Sequence, residues 1–230
     1  FYTVLFHPVY REIFISTMRM SLITTLFTVV LAYPLAFSIV RTTHVKAKKA
    51  LIAFLILSFF MQLLVRVFAF LHVLGDGGII NQLLVFFGFN KIRFIGTEFA
   101  IIISMVHQLI PLAVLIQMGP IKNIKPELEE SAKILGASGV QTFLRVSLPL
   151  SLPGIVASSL LCFAGAASAF VTPMILGGGT LWMMANTIYM RLTDTLNYPL
   201  ASAMSVILLT VSLAVAYGLG AVLSRWIKVE

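Results

Sequence analysis

Five long apolar runs constrain this chain more than any other feature, at about 20–40, 50–72, 99–118, 149–171 and 200–223. A helix needs about 20 apolar residues to cross about 30 Å of hydrocarbon. Only helices and closed barrels satisfy their backbone groups in lipid, and runs this long read as helices. Of the 230 residues, 60% are hydrophobic and 10% charged, too few polar side chains to cover a water-facing surface. The fold class is therefore all-α, a polytopic membrane helical bundle with five spans in this chain. Residues 1–230 form a single transmembrane domain, with no length left for a separate soluble one.

The basic residues fall between the apolar runs, so the net charge of +8 reads as membrane orientation and not as nucleic-acid binding. Ten cations lie on one side: Arg41, Lys46, Lys48, Lys49, Lys122, Lys125, Lys133, Arg145, Arg225 and Lys228. Five lie on the other: Arg11, Arg66, Lys91, Arg93 and Arg191. The positive-inside rule places the ten in the cytoplasm, with the N-terminus outside and the C-terminus inside. Cys162 is alone, so no internal disulfide forms. His7, His44, His72 and His107 are dispersed, without metal-ligand spacing.

Arg11, Glu12 and Arg19 precede the first span, so residues 13–19 are expected as a helical lead-in near the surface, and Pro34 should kink the span itself. The segments Gly75-Asp76-Gly77-Gly78 and Thr172-Pro173 with Gly177-Gly178-Gly179 break helices on the outer side. The fourth span is rich in small residues, including Ser151, Gly154, Ala157, Gly165 and Ser168. Small residues let backbones approach, so this helix is expected to be buried in protein, by tight packing or beside a pathway.

Residues 121–148 form a cytoplasmic loop between spans three and four. Within it, Pro126 suits a first helical position, Glu127, Glu129 and Glu130 complement the helix dipole, and Gly136 suits the stop. The result is a helix of about ten residues, about 15 Å long. Its apolar stripe, Leu128, Ala132 and Leu135, is expected to dock on the membrane part, with Glu130 on the opposite face. A second short helix starts near Ser138 and passes Val140, Phe143 and Leu144. On amphipathicity alone this would be a surface connector.

The residue pattern says more. Glu130, Ser131, Ala132, Gly136, Val146, Leu148 and Pro149 fall without a gap on a spaced motif: Glu-Ala-Ala, three residues, Gly, nine residues, Ile-x-Leu-Pro. The chain thereby resembles the permeases of type I ATP-binding-cassette (ABC) importers, with Ser131 for Ala and Val146 for Ile as mild departures. Leu64–Phe70, Gly77–Asn81, Phe170–Pro173 with Leu176–Gly178, and Pro199–Ala203 are similar to the spermidine/putrescine-type group. The resemblance covers nearly the whole chain. It implies a further N-terminal span, six in the full protein, with Phe1 not the native start.

The same resemblance implies partners: two ATP-binding subunits, a second permease subunit forming a heterodimer, and a periplasmic or extracellular solute-binding protein. That soluble protein docks on 75–97 and 172–199. The chain has no Gly-Lys-Ser/Thr phosphate loop, so ATP must be handled by another protein; the resemblance implies a transport subunit, not an enzyme, with no cofactor of its own and with ATP and Mg on the partner ATPase. The helix around Glu130 would fit a groove on that ATPase and couple hydrolysis to alternating access in the inner membrane. The solute is a polyamine or an amino-acid-like amine or opine; a different small ion or a metal complex is the alternative. Pathway candidates are Arg66, Asp76, Phe170, Thr172, Trp182, Asn186 and Asp194, with Glu98 and Tyr189 beside them. Arg66 would discourage a polycation unless it snorkels to the interface, as expected here.

An intramembrane enzyme would need paired acids, a Ser/Lys or His/Glu dyad or metal ligands inside the spans, and a secondary transporter would need intramembrane groups for coupling ions. The spans carry neither. A non-transporting scaffold would not require the loop motif.

Overall fold

Where water is absent, each backbone amide must bond within its own segment, and the structure follows that rule. A computed structural model describes residues 7–225; Phe1 and Lys228 lie outside the described residues. Among those residues there are eleven α-helices, one π-helical turn and no strand. In chain order they are α1 (Pro8–Arg41), α2 (Val45–Phe60), α3 (Leu63–Leu74), α4 (Ile79–Phe86), α5 (Glu98–Asn123) and α6 (Pro126–Ile134). There follow α7 (Gly139–Thr142), the π turn (Phe143–Ser147), α8 (Leu148–Ala167), α9 (Val171–Leu176), α10 (Met184–Thr193) and α11 (Tyr198–Arg225). Five stretches are long and apolar enough to cross a membrane: Pro8–Arg41, Leu63–Phe86, Glu98–Asn123, Gly139–Ala167 and Tyr198–Val222.

Two helices differ from the sequence reading. The lead-in and the first span form one continuous 34-residue helix, and Pro34 lies inside it without ending it. The apolar run expected at 50–72 is not one helix, since α2 and α3 are separated at Met61–Gln62, where Gln62 adopts φ −57° and ψ 135°. No glycine or proline stands at this break, so the sequence carries no local signal for it. The Leu63–Phe86 stretch also contains a turn, closed by the Gly78 amide donating to the Gly75 carbonyl at 2.8 Å.

The chain divides into two compact units, residues 1–25, 61–108 and 163–214, and residues 26–60, 109–162 and 215–230. In the first unit, Tyr10, Met184, Ala203 and Met204 form a buried cluster with Ile13, Phe14 and Ile188 against it. Thr17 Oγ1 ties α1 to α10 by accepting from the Met184 amide at 2.9 Å. Arg19 pairs with Glu98, so the cation nearest the middle of α1 is neutralised. Asn81 is fully buried, donates to the Gly75 and Ile92 carbonyls at 3.0 Å each, and accepts from the Ile92 amide at 2.8 Å.

Arg66 does not snorkel. It is only 3% exposed and donates to the Gln108 carbonyl at 3.3 Å. A guanidinium enclosed between helices can bond to a helix carbonyl, where a lipid-facing one would have to extend to the headgroups.

In the second unit, Gln117 of α5 donates to Ser158 Oγ of α8 at 2.9 Å and to the Val29 carbonyl of α1 at 3.4 Å. Gly154 allows this approach: a Cβ there would lie 3.0 Å from Pro120 Cγ and 3.2 Å from Gln117 Cα. The small-residue helix α8 is buried on one face only. Ser151, Ser158, Cys162 and Ala166 are enclosed, whereas Leu161, Ala164 and Gly165 are exposed.

Gly154→Ala should lower the thermal stability of the detergent-solubilised protein by about 1–3 kcal/mol through overpacking. Gly119→Ala in α5, where a Cβ would meet nothing within 4 Å, should be neutral or stabilising. Equal melting curves for the two variants would contradict this packing.

Candidate functional site

Residues 124–147 connect α5 to α8, and the helices within this loop are bounded by ordinary capping chemistry. Pro126 sits at the first helical position of α6, with Glu127 and Glu129 in its first turn and Lys133 in its last. The helix closes in a double hydrogen-bonded stop, the Gly136 amide donating to the Lys133 carbonyl and the Ala137 amide to the Ala132 carbonyl, both at 3.0 Å. Gly136 has φ +87°, a left-handed conformation that a side chain disfavours, while a Cβ there would meet nothing within 4 Å. Its glycine is thus required by the backbone turn and not by a close neighbour within this chain.

Ser138 then caps α7, accepting from the Gln141 amide while Gln141 accepts from the Ser138 amide. After α7 the chain widens into the π turn, where the Leu148 amide reaches back to the Phe143 carbonyl. Pro149 follows and has no amide to give, so the register shift occurs where one helical bond is lost in any case.

The loop is anchored through Glu129. Its Oε1 lies 2.6 Å from Arg41 Nη2 at the end of α1, and Ser147 Oγ donates to the same oxygen at 2.8 Å. Both charged side chains are largely enclosed, 15% exposed for Glu129 and 23% for Arg41. Arg41 also donates to the Ile124 carbonyl at 3.3 Å, and its guanidinium lies over the Phe37 ring, 5.6 Å from the centroid. Phe37 and Tyr33 both meet Phe143 edge-on, at 6.0 and 5.6 Å. Tyr33 Oη and Ser151 Oγ are 2.7 Å apart. These rings, with Pro34, Leu148 and Ile155, line an apolar cavity of about 430 Å³.

The docked face of α6 is therefore not the expected one. Leu128 is exposed, and Leu135 and Ile134 are 88% and 85% exposed; Glu129 and the half-buried Ala132 face inward instead. A carboxylate with a cation and a hydroxyl waiting for it sets the rotation of so short a helix, and the apolar stripe turns outward. Val140 and Leu144 are exposed as well, so the loop leaves several large apolar side chains uncovered in addition to Glu130. Exposed apolar patches mark interaction surfaces.

The remaining motif positions are distributed as follows. Ser131 is exposed and bonds back to the Glu127 carbonyl at 2.7 Å. Val146 and Leu148 are half-buried and Pro149 is exposed. Sequence reasoning missed Arg41, Glu129, Ser147 and Tyr33. Arg41 reads as an orientation charge and Glu129 as one of three acids at a helix start; only the Glu129–Ala132 spacing, three residues on one helix face, hints at the inward side.

Of the pathway candidates, the first unit brings together Phe170 and Asn186, whose amide donates to the Phe170 carbonyl at 2.7 Å. Tyr189 joins them, its ring centroid 4.9 Å from that of Phe170. Thr172 is buried and Trp182 half-buried. Asp76 is exposed in the turn after α3, and Asp194, also exposed, caps α10 and accepts from Thr193 Oγ1 at 2.9 Å. Arg66 bonds to the Gln108 carbonyl.

The family model described as "Binding-protein-dependent transport system inner membrane component" matches residues 14–229. The spermidine/putrescine transport system permease protein PotB of Haemophilus influenzae is 33% identical, over all of this chain and 82% of that protein. Among solved structures, a bacterial ABC transporter that imports the acidic polysaccharide alginate superposes with a TM-score of 0.83 at 20% identity, covering 97% of this chain and 82% of that one. The alginate transporter in complex with its pentasaccharide-bound periplasmic protein gives 0.81 at 19%, covering 98% and 82%. At these identities the structures establish the fold.

Replacing Gly136 should loosen the loop through its backbone alone. A residue with a Cβ in this left-handed conformation costs roughly 1–2 kcal/mol, less for Asn than for Val. Gly136→Val should therefore open residues 134–138 to limited proteolysis well before Gly136→Asn does. Equal protection of both would remove the case for a required positive φ.

Proposed function

The chain belongs to the family of binding-protein-dependent transport system inner membrane components, and from that premise we propose that it carries a polyamine or a related small amine across the membrane. It is a multi-pass permease subunit of an ABC importer, a transport subunit and not an enzyme. Support for the solute comes from its 33% identity to PotB along its full length. The paired rings of Phe170 and Tyr189 add to it, since aromatic faces attract ammonium groups. Arg66 is buried and donates to the Gln108 carbonyl. An amino-acid-like amine or opine would use the same surfaces.

The working assembly in this reading contains two ATP-binding subunits, a second, different permease chain and a soluble solute-binding protein. ATP and Mg are held by the ATP-binding subunits. The loop 121–148 faces the cytoplasm, with the N-terminus of the chain outside and its C-terminus inside. Segments 75–97 and 172–199 face the binding protein.

One observation carries the coupling role: α6 is pinned on one face by Glu129 and leaves Glu130, Leu128, Ile134 and Leu135 uncovered on the others. A helix so arranged offers a protruding apolar and acidic ridge to a cytoplasmic ATPase groove. Closure of the ATPase then shifts the permease only to the extent that this contact differs in free energy between the two access states. Coupling of that sort is worth roughly 1–3 kcal/mol.

The complex, reconstituted in proteoliposomes with its binding protein, should take up labelled spermidine on addition of ATP. Glu130→Lys should reduce that uptake by about tenfold or more, as loss of about 1.4 kcal/mol of coupling predicts. Undiminished uptake by the variant would remove the loop from the coupling path. Uptake of an opine but not spermidine would keep the mechanism and change the solute.

A further inference from the structure

The residue at the protruding tip is not the one that joins the loop to the membrane helices. Among the described residues, the only side-chain hydrogen bonds from α6 to other elements are those of Glu129, to Arg41 and to Ser147. No residue of α6 is fully buried, so packing alone holds it weakly. We propose that Glu129 is the positioning residue that fastens this lever to two membrane helices at once, to the end of α1 through Arg41 and to the entry of α8 through Ser147. The proposal rests on the reading of the loop as the coupling element.

Three features make this more than a fold-stabilising contact. The pair is charge-assisted on both sides: one carboxylate oxygen takes a guanidinium and a hydroxyl, at 2.6 and 2.8 Å, in a setting largely closed to water. The two tethers end at places where force can be passed on. Arg41 is the last residue of the 34-residue α1, and Ser147 is the last residue of the π turn that leads into α8. A π turn inside a helix often marks a functional site. Finally, the surrounding rings leave room for movement, since Tyr33, Phe37 and Phe143 border the 430 Å³ cavity instead of filling it. A push on the exposed ridge is thus delivered through one carboxylate to α1 and α8 together. Glu130 meets the ATPase; Glu129 passes the motion on.

The test measures spermidine uptake, ATP hydrolysis and co-purification of the ATP-binding subunits for the complete complex in proteoliposomes. Glu129→Gln, which keeps the shape and loses the charge, should assemble and hydrolyse ATP while uptake per ATP falls about tenfold. Arg41→Glu alone should do the same or worse. The exchange Arg41→Glu with Glu129→Arg should recover uptake per ATP to within about threefold of the original, because the Ser147 hydroxyl can accept from an arginine as well as donate to a carboxylate. Recovery stays incomplete because a carboxylate at position 41 would face the Ile124 carbonyl. Should Glu129→Gln fail to assemble, Ser147→Ala decides, with an expected twofold to fivefold loss in uptake per ATP at normal assembly.

An unchanged ratio of uptake to hydrolysis in Glu129→Gln would overturn the proposal. So would a parallel loss of assembly, hydrolysis and uptake in both Glu129→Gln and Ser147→Ala, which is what a purely structural role gives. Absence of ATP-driven uptake of spermidine or any amine by the original complex would instead remove the amine as solute, and the ratio of uptake to hydrolysis would then be measured with the solute its binding protein holds.

Discussion

A polar group that leaves water for lipid must find its partner inside the protein, and nearly every informative contact in this chain obeys that condition. Asn81 uses both ends of its amide on the backbone around the turn that follows α3. Gln117 holds α5 to α8 and to α1 through two donated bonds. Thr17 donates its hydroxyl to the Ile13 carbonyl while accepting from the Met184 amide. An unsatisfied group of this kind costs about 1–3 kcal/mol even in a water-soluble protein, and lipid offers no relief. Asn81, Gln117 and Thr17 are each tied to specific neighbours on other parts of the chain.

The same condition explains what can be read from the sequence. Long apolar runs fix the number and kind of crossing segments, because length and hydropathy are properties of each run alone. Pro126, Gly136 and Ser138 mark the loop helices correctly, since caps depend on residues within one turn. The break between α2 and α3 is not legible: neither proline nor glycine lies there, and its origin must be sought in packing that no local pattern records. The rotation of α6 is misread from sequence for a related reason. Hydrophobic periodicity assumes that the apolar stripe turns inward, yet Arg41, 88 positions away in sequence from Glu129, supplies a stronger claim on the acidic face. Arg66 shows the same limit. Its length invites a snorkelling assignment, and only tertiary enclosure, with the Gln108 carbonyl in reach, makes burial tolerable.

The loop itself is built to resist bending. A helix with proline at its start, a double hydrogen-bonded stop at Gly136, and an immediate capping box at Ser138 leave few free torsions between Lys125 and Thr142. Stiffness matters because free energy received at one end of a flexible segment is dispersed in its conformational entropy, at roughly 1–2 kcal/mol per ordered residue. That is the size of the entire coupling term expected between two sites. If the loop is the coupling element, a single floppy residue between the ridge and the membrane helices would absorb the signal, and the Glu129 contacts lie on α6 itself, one residue from the exposed Glu130.

The distribution of acids bears on how an amine would travel. Besides the trio in α6, the described carboxylates are Glu12, Asp76, Glu98 and Asp194, and each lies in a turn or within the first two turns of a helix, apart from Asp194 at a helix end. Glu98 is already engaged by Arg19. A polycation crossing this subunit would meet carbonyl oxygens and aromatic faces more often than full charges. Such contacts are individually weak, about 0.5–2 kcal/mol for a cation over a ring, and weak, repeated sites suit a path that a solute must both enter and leave. On the proposed reading, tight selection would fall to a soluble partner that holds the solute before delivery, while the permease would need only to open in step with closure of the ATPase.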